Sequence, residues 1–265
     1  MPSKRLLAVA LATAAAIPAG RAAADVNAGS ETAVGGPVSA TLTWDAGDGP
    51  RNMRLAIARN GVTGLDRTIP QTCGEQCSRF SNDADTFAVR DLDGDGEDEV
   101  VLRVNSSEPC CFALGIFDYQ PATGTYREFV RVSESSVDIA DLNRDGRPDL
   151  KTSDSRIDGG PVRIFQYTRN DTGVTLDDVT RRFPGQIRED ARFAKTLFAS
   201  GRRPDPESAR SYVSEYVADE FLLGRGQAGL KELDQQRLRG VLGKPKEAKA
   251  FRRSLLRKLD RFGYR

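Results

Sequence analysis

The 265-residue sequence contains no histidine, and this absence removes several function classes. Catalytic Ser-His-Asp and Cys-His pairs, His-containing zinc sites and haem held by histidine all need an imidazole. Metal binding is therefore limited to oxygen or thiolate ligands, and acid–base catalysis to carboxylates, Lys or Tyr. Aromatic residues are also scarce, at 7% of the chain. The length still allows one large domain or two modest ones with a real core.

Long apolar runs are missing as well, except at the N-terminus. Lys4 and Arg5 precede an uncharged, mostly apolar run at residues 6–17, and three alanines follow at 22–24. This pattern is typical of an export signal, and we expect maturation at Asp25. The alternative is a retained anchor, although the run is short for a membrane-spanning helix. The predicted location is therefore outside the cell or in the periplasm and cell envelope.

Charge divides the rest of the chain into two parts. Residues 25–183 contain 17 Lys and Arg against 27 Asp and Glu, a net charge of −10. Residues 184–265 contain 19 against 11, a net charge of +8. The overall charge of +1 hides this division. We predict a signal peptide at 1–24, an acidic domain at 25–183 and a basic domain at 184–265.

Hydrophobic patterning predicts an α+β fold in which antiparallel strands precede helices. Short runs rich in branched and aromatic residues, separated by Gly- and Asp-rich turns, indicate strands in the acidic part. The main ones lie at 38–44, 53–58, 99–104, 112–119 and 162–167. In the basic part, helices are predicted from Pro184 to about Ala199, from Pro206 with Asp205 as its cap, over 230–239, and from Pro245 onward.

Two acidic loops, DLDGDGEDEVVL from residue 91 and DLNRDGRPDLKT from residue 141, repeat at a distance of 50 residues. Each has side-chain oxygens at positions 1, 3 and 5, Gly at 6 and a carboxylate at 9. Alternating side chains on a tight turn can point at one centre, and position 7 can offer its backbone carbonyl. Such an all-oxygen shell suits Ca2+, so we expect two bound ions. The first loop carries more carboxylates and is predicted to bind more tightly.

The EF-hand is the competing interpretation, and the sequence argues against it. An EF-hand loop needs a bidentate Glu at position 12, where this chain has Leu102 and Thr152. Strand patterns, not helices, flank both loops. The similarity also extends beyond the loops, because IFDY at 116–119 recurs as IFQY at 164–167. The unit is therefore a repeat of strand, loop, strand, aromatic strand and turn.

These loops resemble the Ca2+ loops of FG-GAP/VCBS-type repeats, which occur in integrin α-chain propellers and in exported bacterial proteins. The resemblance covers about residues 83–183 and implies a blade-like antiparallel sheet in which Ca2+ holds a turn. The ligands it implies are Asp91, Asp93, Asp95, Glu97 and Glu99, and Asp141, Asn143, Asp145, Arg147 (through its carbonyl) and Asp149. Phe-Gly and Gly-Ala-Pro signatures are absent around both loops. Only two clear units occur, with a degenerate one around 55–63, so we expect a small, propeller-like sheet or sandwich.

Four cysteines form two close pairs, Cys73 with Cys77 and Cys110 with Cys111. In an exported chain the default is disulfide formation. Either each pair closes locally, or two bridges tie the first pair to the second; closing the longer loops stabilises more in the chain-entropy model. A four-thiolate zinc site and a redox dithiol are the remaining readings.

The last predicted helix is basic and amphipathic. Residues 244–265 contain nine Lys and Arg and two acids around an apolar stripe of Phe251, Leu255, Leu259 and Phe262. Such a helix can dock on an anionic surface of lipid or envelope polymer. Alternatively, it packs its stripe into a bundle while its charges are solvated or face the acidic part.

The sequence favours a non-catalytic role. No P-loop, GxSxG elbow or dinucleotide fingerprint is present. We expect an exported Ca2+-binding repeat protein that binds a partner protein or an envelope polymer, with no nucleic-acid partner. One alternative is an exported hydrolase that uses carboxylates, with Ca2+ as a structural or electrophilic ion. A second is an assembly or stability factor for a partner.

Overall fold

The computed structural model describes residues 28–46, 51–69, 87–105, 112–132, 137–170, 173–199 and 204–265. Across these ranges the chain forms twelve β-strands followed by four α-helices. The strands make three four-stranded antiparallel sheets. The predicted mixed α+β class is therefore confirmed.

The first sheet is a meander in the order β1-β2-β3-β4. Its strands are β1 (Gly29–Gly35), β2 (Val38–Asp45), β3 (Arg51–Arg59) and β4 (Val62–Thr68). Alternate residues of β2 are fully buried, as expected for a strand with one face on the core. Asn60 and Gly61 have φ of 50° and 78° and form the tight turn between β3 and β4. Because no acidic motif marks this sheet in the sequence, patterning predicts only a fragment of it.

The second and third sheets repeat one plan. The second contains β5 (Phe87–Arg90), β6 (Glu99–Asn105), β7 (Phe112–Gln120) and β8 (Thr125–Val132). The third contains β9 (Asp138–Ala140), β10 (Asp149–Ser153), β11 (Val162–Asn170) and β12 (Gly173–Asp178). Each acidic loop joins the first two strands of its sheet. Strands therefore flank both loops, which excludes the helix–loop–helix of an EF-hand.

The second sheet is buried on both faces between the other two. Val100 packs with the core of the first sheet, whereas the next residue, Val101, packs with Ile139 and Leu150 of the third. Successive side chains of a strand point to opposite faces, so β6 needs an uninterrupted apolar run. Within the described ranges the sheets form neither a closed barrel nor a propeller. Three separate sheets replace the small sheet or sandwich expected from the sequence.

The helices begin close to their predicted positions. They are α1 (Pro184–Ala199), α2 (Pro206–Leu222), α3 (Gly226–Leu238) and α4 (Pro245–Arg261). Asp205 caps α2, and its Oδ1 accepts hydrogen bonds of 3.0 Å from the backbone N–H groups of Glu207 and Ser208. α3 begins four residues before the predicted Leu230. Its first residue must be small, because a Cβ on Gly226 would lie 2.2 Å from the ring of Phe221.

The helices and the third sheet share one core. Val162 and Ile164 of β11 pack in the same cluster as the buried faces of all four helices. Leu255 and Leu259 of α4 are buried in that cluster, so the apolar stripe of the basic helix lies inside the bundle. On its solvent side, Lys258 forms a 2.9 Å ion pair with Asp158, next to the third sheet. The described residues contain no helix long and apolar enough to span a membrane.

Candidate metal centre

The loop from Asp91 to Glu99 is folded by its own carboxylates. Asp91 Oδ1 accepts a 2.6 Å hydrogen bond from Gly94 N, and its Oδ2 accepts one of 2.9 Å from Gly96 N. Both glycines have positive φ, 80° and 86°, a backbone conformation that favours Gly. At the end of the loop, Glu99 Oε2 accepts a 2.8 Å hydrogen bond from Leu92 N. The spacing of the motif thus sets the turn and gathers its acids.

Two buried oxygens of this loop have no hydrogen-bond partner. They are Oδ2 of Asp93 and Oε1 of Glu99. The Asp93 side chain is only 4% exposed, and that of Glu99 is fully buried. Carboxylate oxygens of Asp91, Asp93 and Glu99 lie within 4.8 Å of one another. A buried carboxylate oxygen without a partner carries a large desolvation cost, and a bound cation removes that cost.

Burial and mutual repulsion both act on the carboxylates of the cluster. Burial, with a smaller contribution from the neighbouring carboxylates Asp93 and Asp118, raises the pKa of Glu99 to about 9. Burial also raises the pKa of Asp93, with Asp95 adding to the shift. The residues present therefore fit a hard divalent ion, which would hold these groups in their ionised form.

Two further acids of the loop lie against the first sheet. Glu97 forms two hydrogen bonds with the guanidinium of Arg59 at the end of β3. Its side chain thus points away from the cluster, and only its backbone carbonyl remains for the predicted ligand role. Asp98 lies against the turn between β1 and β2, where a Cβ on Gly36 would lie 2.8 Å from Asp98 Oδ2. The loop therefore also fixes the position of the neighbouring sheet.

Two residues outside the loop complete the cluster, and sequence reasoning did not assign either of them. Arg169 of β11 places Nε 3.7 Å from Asp93 Oδ2 and 3.5 Å from Asp95 Oδ2, and its Nη2 lies 3.8 Å from Glu99 Oε1. The same Nη2 donates a hydrogen bond to Asp118 of β7, which is 1% exposed. The available signal was the recurring IFDY/IFQY tetrapeptide, in which Asp118 stands where the next unit has Gln166.

The loop from Asp141 to Asp149 has the same turn. Asp141 Oδ1 accepts a hydrogen bond of 3.0 Å from Asp145 N, and its Oδ2 accepts one of 2.9 Å from Gly146 N. Asp149 Oδ2 accepts a 3.0 Å hydrogen bond from Leu142 N, as Glu99 does from Leu92. The backbone N–H of Arg147 donates to Asp145 and, as the largest contribution, lowers the pKa of Asp145. The two predicted loops are thus equivalent in backbone plan.

Their side chains differ where a metal would bind. Asp149 Oδ1 accepts a 2.9 Å hydrogen bond from Gln166 Nε2, so both of its oxygens are satisfied within the protein. The amide of Asn143 donates to Asp145 Oδ2 at 2.8 Å. Among the residues that the structure describes, a group of three potential metal-binding acids forms only at the first loop. Tighter binding at the first loop stays a prediction, now with a structural reason.

The two loops are neighbours in space. The side chain of Arg147 lies over Gly94 of the first loop, where an added Cβ would be 3.4 Å from Arg147 Cδ. Its Nη2 donates a 3.2 Å hydrogen bond to the carbonyl of Tyr167 on β11. The first loop is therefore enclosed by the first sheet on one side and by the second loop and β11 on the other.

A second acidic group, unforeseen from the sequence, lies between α1 and α2. Asp219 is fully buried, and burial raises its pKa to about 10, with Asp190 adding to the shift. Burial raises the pKa of Asp190 as well, and both carboxyl oxygens of Asp219 are buried without a hydrogen-bond partner. Glu215 is 7% exposed, and burial raises its pKa to about 8. We assign these acids to helix packing in their neutral form.

Several predicted features lie outside the described residues. They are the export signal at 1–24 and the cysteines Cys73, Cys77, Cys110 and Cys111. Their export, disulfide, zinc and redox interpretations stay predictions.

Comparison with known proteins assigns no relative. No family model, curated protein or solved structure matches this chain. The function must therefore be argued from the site itself.

Proposed function

We propose that this protein is an exported, non-catalytic Ca2+-binding protein in which one ion at the first acidic loop stabilises that loop at the junction of the three sheets. The observation that carries the proposal is the pair of buried carboxylate oxygens, Asp93 Oδ2 and Glu99 Oε1, that have no hydrogen-bond donor. Two such oxygens beside Asp91 form part of a cation shell. The ion would bind Asp91, Asp93, Asp95 and Glu99 through side chains and Glu97 through its carbonyl.

Ca2+ suits the donors better than the other common divalent ions. The donors are carboxylates and a carbonyl, whereas structural zinc sites use Cys and His. Ca2+ takes six to eight oxygen ligands in a flexible geometry, while Mg2+ demands a small octahedral shell and keeps several waters. A nine-residue loop with this many acids favours the larger ion.

The role proposed for the ion is structural. The loop contacts the first sheet through Glu97 and Arg59, and the third sheet through Arg169. An ion at this junction would replace the repulsion among the loop carboxylates with shared ligands and so stabilise the loop that lies between the sheets. The two loops and their sheets resemble FG-GAP/VCBS-type repeats. We propose that the second and third sheets are each one blade-like unit of this type. A partner protein or envelope polymer remains the proposed ligand of the module.

A calorimetric titration of the chelator-treated protein with Ca2+ tests this proposal. The full chain is expected to bind at least one Ca2+, and Asp93→Asn is expected to weaken the tightest site about tenfold or more, because a charged ligand is lost. Asp145→Asn is the matched control in the second loop and should leave that site unchanged. Absence of Ca2+ binding by the wild type would overturn the proposal.

A further inference from the structure

Asp118 can be compared with the residue at the equivalent position of the third sheet, Gln166. In the third sheet, Asp149 is paired directly with Gln166 across β10 and β11. In the second sheet, Glu99 and Asp118 follow directly on the Val100–Phe117 pair and occupy the equivalent places. The third sheet thus sets an amide donor against its loop carboxylate, whereas the second sets a carboxylate against a carboxylate. Two buried acids face to face can both be ionised only with a cation between them.

Arg169 supplies a cation, but it matches the site poorly. Its guanidinium lies within 4.0 Å of Asp93, Asp95, Glu99 and Asp118, yet only Asp118 receives a hydrogen bond from it. Nε of Arg169 is buried and has no hydrogen-bond partner, like two carboxylate oxygens near the guanidinium, Asp93 Oδ2 and Glu99 Oε1. One positive charge on a planar group therefore faces four carboxylates without completing their coordination.

We propose that Arg169 is a tethered cation that competes with the metal for this site, and that Asp118 is a metal ligand supplied by β7. In the metal-free protein Arg169 binds Asp118 and partly neutralises the loop. When a divalent ion binds, Arg169 is displaced and Asp118 turns from the guanidinium to the ion. The inference rests on the proposed Ca2+ site and adds one ligand and one competitor to it.

This competition couples metal binding to the third sheet. Arg169 belongs to β11, whose neighbour β10 begins at the end of the second acidic loop. Displacement of Arg169 therefore changes a contact between the second and third sheets, while the bidentate pair of Arg59 with Glu97 on the other side remains. Metal binding would therefore exchange one electrostatic link between the second and third sheets for ligands within the second sheet.

The test measures Ca2+ affinity by calorimetry on the chelator-treated full chain. Arg169→Gln is expected to tighten binding about tenfold, because the competitor is gone. Arg147→Gln is the matched control: it removes an equal charge beside Gly94 from a side chain that forms no ion pair with the cluster. That control is expected to change affinity less than about threefold, as for a charge acting at longer range.

A second variant tests whether Asp118 binds the metal itself or only holds Arg169 in place. In the Arg169→Gln background, Asp118→Asn is expected to weaken Ca2+ binding about tenfold, because a charged ligand is lost. No change there, or no tighter binding by Arg169→Gln than by Arg147→Gln, overturns the inference while the Ca2+ site stands. Failure of both the wild type and Arg169→Gln to bind Ca2+ overturns the proposed function. If Arg169→Gln does not fold, Arg169→Met replaces it in the same comparison.

Discussion

Gln166 donates a 2.9 Å hydrogen bond to Asp149, and this contact distinguishes the two acidic loops. With it, the second loop satisfies its buried carboxylate from within the protein. Without an equivalent donor, Glu99 of the first loop keeps one oxygen unpaired. A single amide at the same place in a repeat thus separates a loop with an unpaired buried carboxylate oxygen from a loop whose buried carboxylate is fully hydrogen-bonded.

Replacement of Gln166 should convert the second loop into a metal-dependent one. Gln166→Asp places a carboxylate against buried Asp149 and is expected to destabilise the chelator-treated protein, with stability recovered in Ca2+. Gln166→Leu is the control, because it removes the same hydrogen bond without adding charge. It should cost about 1–3 kcal/mol, the usual cost of an unsatisfied buried acceptor, with a smaller recovery in Ca2+ because no second carboxylate faces Asp149. Urea unfolding with chelator and with Ca2+ measures both variants, and equal calcium responses would contradict the interpretation.

The ion pair between Glu97 and Arg59 is expected to stabilise the contact of the first loop with the first sheet. Both side chains are partly buried, at 21% and 28% exposure, and the pair is bidentate. Glu97→Gln should therefore lower the urea midpoint. The control is Asp66→Asn, which breaks a bidentate pair with Arg54 that is 41% and 57% exposed on the same sheet. That change should leave the urea midpoint unaltered. An equal decrease of the midpoint in both variants would show that the Glu97–Arg59 pair stabilises the protein no more than an exposed ion pair does.

Asp219 should make stability fall as pH rises. Its folded-state pKa is about 10, whereas an unfolded Asp has a pKa of about 3.9. The folded state therefore keeps a proton that the unfolded state has lost. This contribution is fully present below pH of about 4. Between pH of about 4 and about 10 it lowers the free energy of unfolding by up to about 1.4 kcal/mol per pH unit.

Asp219→Asn stays neutral and removes this part of the pH dependence. The variant should gain stability over the wild type between pH 5 and pH 8 in parallel urea unfolding curves. Glu215 retains its own contribution, because its folded-state pKa is about 8. Glu189→Gln, an exposed neighbour on α1, is the control. A constant difference between Asp219→Asn and the wild type at all pH values would show that Asp219 is ionised in the folded protein.

The local parts of this structure could be predicted from the sequence, and the long-range parts could not. Asp205 followed by Pro206 marks the start of α2, because capping and the fixed φ of proline act within one turn. The spacing of acids and glycines in the first loop likewise sets its turn locally. Arg169, in contrast, lies 70 residues or more from the loop acids that it approaches. No pattern within a window of sequence contains that information.

The same limit explains the incomplete predictions. Glu97 was expected to offer its backbone carbonyl, and the contact of its side chain with Arg59, which crosses two sheets, was not predicted. The first sheet was predicted only in part, since its strands carry no repeated motif. Asp118 was visible as a difference between IFDY and IFQY, but that difference gains meaning only when β6 and β7 set it against Glu99.

Thermal unfolding of the wild type and Glu99→Gln, each with chelator and with Ca2+, tests the central claim most directly. At a Ca2+ concentration about 100-fold above Kd, the wild type should gain about 5–10 °C in Tm. In Glu99→Gln the new amide can donate to Asp118, as Gln166 does to Asp149. The variant should therefore melt above the wild type in chelator and lose the calcium shift. A wild-type Tm that is the same with chelator and with Ca2+ would contradict the account.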